Sequence, residues 1–229
     1  MKAIVCDVRR ALAGRWFWAA LLATTAALYL SIGQAADALM DDTQNLRFTL
    51  SELLLMALYG DFGMLTLPAL SALPFAAQAL HEIKSGAIRP AGVWILGKAA
   101  GCILSGMVLQ AAAAGLLGLI LYAVRGGGIL LEINAEFHTA LLRRMRCGGI
   151  WASVGCVMAL ATETSSAAHL GPLCLCYALM MLGKRFFPAA VMLNPINWID
   201  GGDWILAGME IASILLQIVF LKRGVREYV

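Results

Sequence analysis

Long apolar runs alternate with short polar segments along almost the whole chain. About 20 consecutive apolar residues in a helix cross the hydrocarbon core of a bilayer, so each run predicts a membrane span. The polar segments between the runs are too short to fold as a separate domain. The pattern therefore predicts an all-α, polytopic membrane protein that forms one domain over residues 1–229. Its six spans are expected at about residues 16–32, 50–80, 91–124, 147–161, 167–182 and 204–221.

The segment before the first span, residues 1–15, has a different pattern. Its apolar residues recur at helical spacing with basic side chains off that stripe: Ile4, Val5, Val8 and Leu12. This is typical of an amphipathic elbow helix lying on a membrane surface. A cleaved signal peptide is the alternative, because Ser31 and Gly33 would suit a cleavage site. The length and patterning of the basic region favour the elbow helix.

Two spans depart from a simple transmembrane helix. Residues 50–80 would reach about 45 Å as one helix, beyond the hydrocarbon core, which predicts a bend at Pro68 or Pro74 or a projection into the cytoplasm. The short fourth span follows residues 125–146, whose pattern predicts an interfacial helix. Residues 34–47 and 81–90 are predicted as polar connectors, and Lys98 is expected to snorkel toward water.

Composition and charge agree with a membrane location and orient the chain. The chain is 61% hydrophobic and 14% charged, against about 25% charged in soluble domains. With the N-terminus in the cytoplasm, the inner side would hold Lys2, Arg9, Arg10, Arg15, Lys84, Arg89, Lys98, Lys222, Arg223 and Arg226, ten of the 17 basic residues. The other seven would lie outside, a bias in the expected direction that the cluster Arg143, Arg144 and Arg146 opposes. An even number of spans then places both termini in the cytoplasm, and we expect a multi-pass protein of the plasma membrane, the inner membrane of a bacterium.

Two carboxylates within predicted spans are candidates for a translocation path. Asp61 lies in the middle of the second span and Glu210 about two turns into the last. An unpaired charge at the bilayer centre costs about 2.5–3.5 kcal/mol, so each should face the bundle interior, a partner or water. A substrate-path or proton-relay role and a purely structural hydrogen bond both remain open for them.

The sequence offers no recognisable catalytic or metal-binding set. Residues 92–99 fit the spacing of a phosphate-binding loop, but Ala99 replaces the magnesium-binding hydroxyl and the intervening residues are bulky and apolar. The three histidines lack zinc-ligand spacing, the six cysteines are scattered in apolar runs, and no nucleophile elbow is present. We therefore expect no enzyme activity, no resident cofactor or metal, and no nucleic-acid partner.

The connector after the second span carries a family resemblance. An aromatic residue, Phe75, is followed by the acidic Glu82, by Gly86, and by Lys98 at the head of the next span. With the elbow helix, the long second span, the Asn194-Pro195 pair and the basic tail, this layout resembles a type-2 permease of the ABC transporter family. The interval from Gly86 to Lys98 is shorter than is typical of that family.

The resemblance implies a transport function powered by another chain. A coupling segment would dock into an ATPase subunit that binds ATP and magnesium, with two ATPase copies and a second permease chain in the complex: Phe75, His81, Glu82, Ile83, Lys84, Ser85, Gly86 and Ala87. Glu82→Arg or a bulky residue at Gly86 would then uncouple transport without preventing insertion. The cargo remains open among peptides, lipids and drugs. The alternatives are an ion-coupled carrier that uses Asp61 and Glu210, and a non-transporting scaffold or immunity protein.

Overall fold

A computed structural model describes residues 2–40, 49–86, 91–125, 134–190, 194–198 and 202–228. These residues form helices and no β-strand, which confirms the all-α prediction. The α-helices are α1 (Lys2–Ala13), α2 (Arg15–Met40), α3 (Leu50–Tyr59), α4 (Asp61–Ala72), α5 (Gln78–Lys84), α6 (Ala91–Arg125), α7 (Ala135–Thr162), α8 (Ser165–Arg185) and α9 (Asp203–Tyr228), with a short 3-10 helix at Pro195–Trp198.

Five of these helices are long and apolar enough to cross a membrane. The qualifying segments are Arg15–Gly33, Ala91–Val124, Ala135–Thr162, Ser165–Arg185 and Asp203–Glu227. Helices α3 and α4 pass the same test only when joined, and they are bent by 67° at their junction. The chain therefore supplies five candidate spans, or six if the bent pair is one span.

Contacts between helix ends show which ends of the bundle lie together. At one end, named here the α5 end, Lys84 Nζ donates to the carbonyl of Glu163 in the α7–α8 turn at 2.7 Å. The α9 residue Gly224 lies against the Ile83 side chain at the same end. At the opposite end, the backbone N–H of Asn134 donates to Ser51 Oγ at 3.1 Å. Successive long helices thus run in alternating directions between the two ends.

Helices α6 and α7 approach each other closely at two facing glycines. A Cβ placed on Gly106 would lie 2.4 Å from the carbonyl oxygen of Gly148, and one placed on Gly148 would lie 2.8 Å from that of Gly106. The backbones can approach this far only because both residues lack a side chain. Close approach at small residues is how helices pack strongly within a bilayer, where lipid leaves little hydrophobic drive for association.

The second predicted span is interrupted earlier than its prolines indicated. Residues 50–80 form α3, α4, a turn and the start of α5, and the bend lies at Gly60, whose ψ of 138° is extended. Pro68 is instead inside α4. A Cβ on Gly60 would lie 2.4 Å from the Ser31 Cβ, so α2 crosses directly against the break. Pro68 was misleading because a tertiary contact, not a missing backbone donor, sets this bend. Pro74 lies in the turn of residues 73–77 between α4 and α5, where a bend was predicted.

Two other predicted boundaries were wrong. Helix α2 continues to Met40, through residues assigned to a loop. Helix α7 runs unbroken over Ala135–Thr162, so the predicted interfacial helix and fourth span are largely one helix. A 15-residue span is shorter than a bilayer requires, and its extension toward Ala135 corrects that shortfall. Residues 41–48, 87–90 and 126–133 lie outside the described residues, with the parts of the predicted connectors that fall on them.

Candidate functional site

The most developed polar site lies where α1, α5 and α6 meet at the α5 end. Its centre is Lys98, one of the best-buried side chains, at 1% exposure. Its ammonium group donates to Asp7 Oδ1 of α1 at 2.9 Å and to Glu82 Oε1 of α5 at 2.7 Å. The predicted snorkelling of Lys98 is therefore wrong. The side chain points into the protein because two carboxylates, those of Asp7 and Glu82, bind its ammonium group there.

Glu82 receives hydrogen bonds from several sides. Trp94 Nε1 donates to its Oε2 at 2.8 Å and Gln78 Nε2 to its Oε1 at 3.1 Å, in addition to the Lys98 contact. Burial alone would raise the pKa of this carboxyl, but the bonds from Lys98, Trp94 and Gln78 and the Lys98 charge hold the pKa below its ordinary value. Glu82 is therefore a carboxylate that ties α5 to α6.

The face of α1 that packs against the bundle carries both a polar and an apolar residue. Asp7 and Ala11, one turn apart, are buried, whereas Val5 of the predicted apolar stripe is 64% exposed. Arg10 Nη1 lies 3.9 Å from Asp7 and 3.5 Å from Glu82, with its side chain about half exposed. The predicted helix is present as α1, and its position on a membrane surface stays a prediction; the apolar stripe did not reveal that Asp7 has a cationic partner, Lys98, on α6.

The network joins three helices through two carboxylates and two cations. Asp7 and Glu82 share Lys98, and Arg10 lies beside both on the solvent side. The Phe75 ring, at the turn before α5, lies 5.1 Å from Lys98 Nζ and covers it. Removing one partner of such a buried pair leaves the other uncompensated, which makes the arrangement costly to break. A displacement of α5 is thereby coupled to α1 and α6.

The predicted coupling residues divide between inward and outward positions. Phe75 and Ile83 are buried at 3% and 2% exposure, and Glu82 is engaged by Lys98. The exposed members are His81, Lys84, Ser85 and Gly86, while Ala87 lies outside the described residues. Gly86 has a φ of 67°, in the left-handed region where residues with a side chain are strained. The outward surface of α5 is therefore short and polar.

A second buried polar site provides hydrogen-bond partners for the backbone groups at the break between α3 and α4. Arg144 of α7 is 0% exposed and donates to the carbonyls of Leu58 and Gly63, the latter at 2.9 Å, and to Gln110 Oε1 at 3.1 Å. Ser31 Oγ accepts the backbone N–H of Gly63 at 2.9 Å. These groups belong to the last turn of α3 and the first turn of α4, where helices leave backbone groups unpaired. Side chains of α2 and α7 replace the lost backbone bonds.

The two predicted path carboxylates occupy different environments. Asp61 is exposed in the first turn of α4, a position where the helix dipole favours negative charge. Glu210 accepts two hydrogen bonds from Arg146 of α7, at 2.8 and 2.9 Å, and is partly buried. The structure does not bring them together through any described contact. Whether either has a role in transport stays a prediction.

Other candidate chemistry does not converge on a site. Residues 92–98 are part of helix α6 rather than a loop, so the rejected phosphate-binding motif lacks its required conformation. No group of three or more potential metal ligands occurs in the part of the chain that the structure describes. Cys102, Cys147, Cys156 and Cys176 are buried thiols.

Comparison with protein families and with curated proteins identifies no relative. No protein-family model matches the sequence, and no curated protein matches it either. What can be said of the class therefore rests on the helices and their polar sites: an all-helical chain with several helices of membrane-spanning length and composition.

The sequence reasoning missed Asp7 and Arg144. Asp7 is an acidic residue in an otherwise basic amphipathic helix, which is a weak sign that it has a cationic partner elsewhere in the chain. The signal for Arg144 was the fourth span itself, since extending it by a turn or two to bilayer length brings Arg144 inside the helix. A charge inside a span faces protein or a partner far more often than lipid.

Proposed function

We propose that this chain is the membrane subunit of an ATP-driven exporter, with ATP hydrolysis on a separate protein. Six spans, counting the bent pair α3 and α4 as one, would place both termini and α5 in the cytoplasm, with α1 as an elbow helix on the membrane surface. The observation that supports this most strongly is the attachment of α5. A seven-residue helix with an exposed polar surface is connected through buried ion pairs to two other helices.

That attachment has the properties required of a mechanical relay. A partner seated on His81, Lys84 and Ser85 would push against α5, and Lys98 would pass the displacement to α1 and α6. Rigid-body tilting of helices driven from a short cytoplasmic segment is a known form of alternating access. The cargo, a peptide, lipid or drug of amphipathic character, would pass between this chain and a second permease chain, identical or homologous.

The structure refines which substitution tests coupling. Glu82→Arg would place a cation beside Lys98 and break the network, so its effect on a partner could not be separated from damage to the fold. Ser85→Trp is better, because Ser85 is exposed and its described side-chain contact is with the Glu82 carbonyl of the same helix. Ser166→Trp is the matched control, an exposed serine in the first turn of α8.

The test is isolation of the tagged chain from its native membranes in mild detergent. We expect a soluble protein with the Gly-x-x-x-x-Gly-Lys-Ser/Thr phosphate-binding motif to co-purify, and its ATP hydrolysis to depend on this chain. Ser85→Trp should abolish the association at unchanged membrane yield, whereas Ser166→Trp should keep it. The proposal fails if no ATPase accompanies the wild-type chain, or if the purified chain alone transports cargo.

An ion-coupled carrier is the second candidate, and the bent pair favours it. Discontinuous spans often form the ion and substrate sites of secondary transporters, and Asp61 begins the second half of this one. In this candidate Asp61 would carry the ion, since Glu210 already has Arg146 as its counter-charge. Proton flux into liposomes that contain this chain alone, lost in Asp61→Asn, would select this function over the exporter.

A further inference from the structure

A cavity of about 350 Å³ lies at the α5 end, next to the buried ion pairs. It is enclosed by the α1–α2 junction at Gly14, the turn before α5, the start of α5 and the first turn of α8. Its polar wall is formed by Arg10, Gln78, His81, Ser165 and His169. No carboxylate is among the described residues that line it, so the wall is composed of donors and potential cations.

Arg10 has unused hydrogen-bonding capacity in this cavity. Its approaches to Asp7 and Glu82 both involve Nη1, at 3.9 and 3.5 Å, and its side chain is 55% exposed. Both of those carboxylates are already neutralised in part by Lys98. The remaining N–H groups of the guanidinium form a planar fork suited to the oxygens of a phosphate.

The first turn of α8 adds further unmatched donors. Its N-cap, Thr164, makes no capping hydrogen bond from its side chain, although α8 is 21 residues long. One turn later, the Nδ1 atom of His169 is buried without a hydrogen-bond partner among the described residues. Free N–H groups at a helix N-terminus favour an anion. The cavity thus combines a guanidinium, a histidine with an unpaired ring nitrogen and an uncapped helix start.

The surroundings indicate that the anion belongs to a lipid. Trp16 lines the cavity, and the centroid of its ring lies 6.4 Å from that of His169. The guanidinium carbon of Arg15 lies 5.6 Å from the centroid of the Trp16 ring. Tryptophan at the start of a span is typical of the headgroup level of a bilayer. Away from the cavity, the outer surfaces of α2 and α8 expose Leu22 and Leu170, which acyl chains can cover.

We propose that this cavity binds the phosphate of an anionic phospholipid headgroup. The phosphate would accept hydrogen bonds from Arg10 and the start of α8, beside the His169 ring that lines the cavity, with the acyl chains lying along α2 and α8. Basic pockets between membrane helices are a general means of selecting anionic lipids. The site does not rest on the exporter assignment: His81 lines the cavity and also belongs to the proposed docking surface of α5, but the proposed phosphate contacts are on α1 and α8 and need no ATPase.

Ser165→Glu is a substitution that tests the site without harming the helix. Ser165 lines the cavity, whereas the neighbouring Ser166 is exposed and does not. A glutamate at either position lies in the first turn of α8, where the helix dipole favours it equally. Ser166→Glu is thus a matched control for charge and helix position, and only Ser165→Glu places a carboxylate against the proposed phosphate.

The measurement is thermal unfolding in neutral detergent with added phosphatidylglycerol or phosphatidylcholine. Phosphatidylglycerol should raise the unfolding temperature of wild type and Ser166→Glu, and phosphatidylcholine should not. Ser165→Glu should need at least about fivefold more phosphatidylglycerol for the same rise in unfolding temperature. One elementary charge at a membrane surface corresponds to about that factor in affinity. If Ser165→Glu is unstable without lipid, Arg10→Gln replaces it and must also weaken the response.

Three outcomes would overturn the proposal. Equal stabilisation by the two lipids would show that the headgroup charge is not recognised. An identical response of Ser165→Glu and Ser166→Glu would place the anionic lipid elsewhere on the protein. A shift of the same size from inorganic phosphate or glycerol phosphate at millimolar concentration would show a site for soluble anions rather than for lipid. ATPase co-purification is unaffected by any of these results.

Discussion

At the residue scale, the structure places its charged side chains in pairs and clusters inside a mostly apolar bundle. Lys98 and Arg144 are both fully buried, yet they are satisfied differently. Lys98 meets two carboxylates, whereas the described hydrogen-bond acceptors of Arg144 are carbonyls, one amide and a thioether. A guanidinium has five donors in fixed directions and suits dispersed acceptors, while an ammonium suits a compact cluster of charge. The residue types are therefore not interchangeable at these two sites.

Glu82 makes stability depend on pH in the acid range. Its pKa in the folded protein is below the ordinary value of 4.5, so folding favours its ionised form. The resulting stabilisation is complete above about pH 4.5 and is lost as the pH falls through the lower pKa of the folded state. We expect Glu82→Gln to unfold at a lower temperature than wild type near neutral pH, and the difference to close in acid. Thermal unfolding at several pH values in detergent measures it.

The control for this prediction is Glu136→Gln, which removes an exposed carboxylate from the first turn of α7. Its unfolding temperature should differ from wild type by much less near neutral pH. A gap between wild type and Glu82→Gln that stays constant down to strong acid would contradict the assignment of Glu82 as the titrating group.

At the element scale, helix breaks and close helix contacts are set by neighbours rather than by local propensity. Gly60 is the break because Ser31 of α2 occupies the space of a side chain and because Ser31 and Arg144 take over the lost hydrogen bonds. Pro68, which lacks a backbone donor, remains inside α4. The α6–α7 contact likewise depends on glycine at two facing positions.

The α6–α7 contact predicts unequal effects for two glycine substitutions in α6. In Gly106→Ala the new Cβ would meet the Gly148 carbonyl at 2.4 Å and the Ala152 Cβ at 2.8 Å. Such overpacking should lower the free energy of unfolding by about 1–3 kcal/mol. Gly115→Ala is the matched control, since nothing lies within 4 Å of its Cβ. Unfolding by a denaturing detergent measures both, and equal losses would contradict the packing described here.

At the scale of the whole molecule, the structure changes the charge argument for orientation. Arg143, Arg144 and Arg146 opposed the positive-inside bias when they were assigned to a loop. They lie within helix α7, with Arg144 buried and Arg146 bound to Glu210. Seven opposing basic residues less these three leaves four (Arg47, Arg125, Lys184 and Arg185). By the same criterion Lys98, buried and ion-paired in α6, leaves the predicted inner set, and ten less one is nine. Nine against four is a larger bias than ten against seven, and a cytoplasmic α5 end stays a prediction.

Thiol labelling in intact cells checks this orientation. Single cysteines replace Ser166 at the α5 end and Lys184 at the other end of α8, in a chain where the exposed Cys6 and Cys174 are serine. A membrane-impermeant maleimide should label Lys184→Cys and leave Ser166→Cys unlabelled until the cells are opened. The reverse pattern would place the α5 end outside and exclude ATPase coupling there, and labelling of both would mean that α8 does not cross the membrane.

The sequence by itself determined the class of structure. Apolar runs of bilayer length specify helices whatever their neighbours, because a helix is the one way a single segment can satisfy its own backbone in lipid. The α6 span, the turn before α8 and the α9 span were accordingly correct to within a few residues, apart from a longer end to α9. The exposed position of α5 residues 84–86 also followed from their polarity.

Tertiary structure alone decided where charges point and where helices break. Lys98 is buried rather than snorkelled because Asp7, 91 residues earlier, and Glu82 reach it from other helices. The bend at Gly60 depends on Ser31 and Arg144, far away in the chain. Hydropathy measures the cost of burying a group by itself and contains nothing about distant partners. Polar contacts between elements are the features it could not predict.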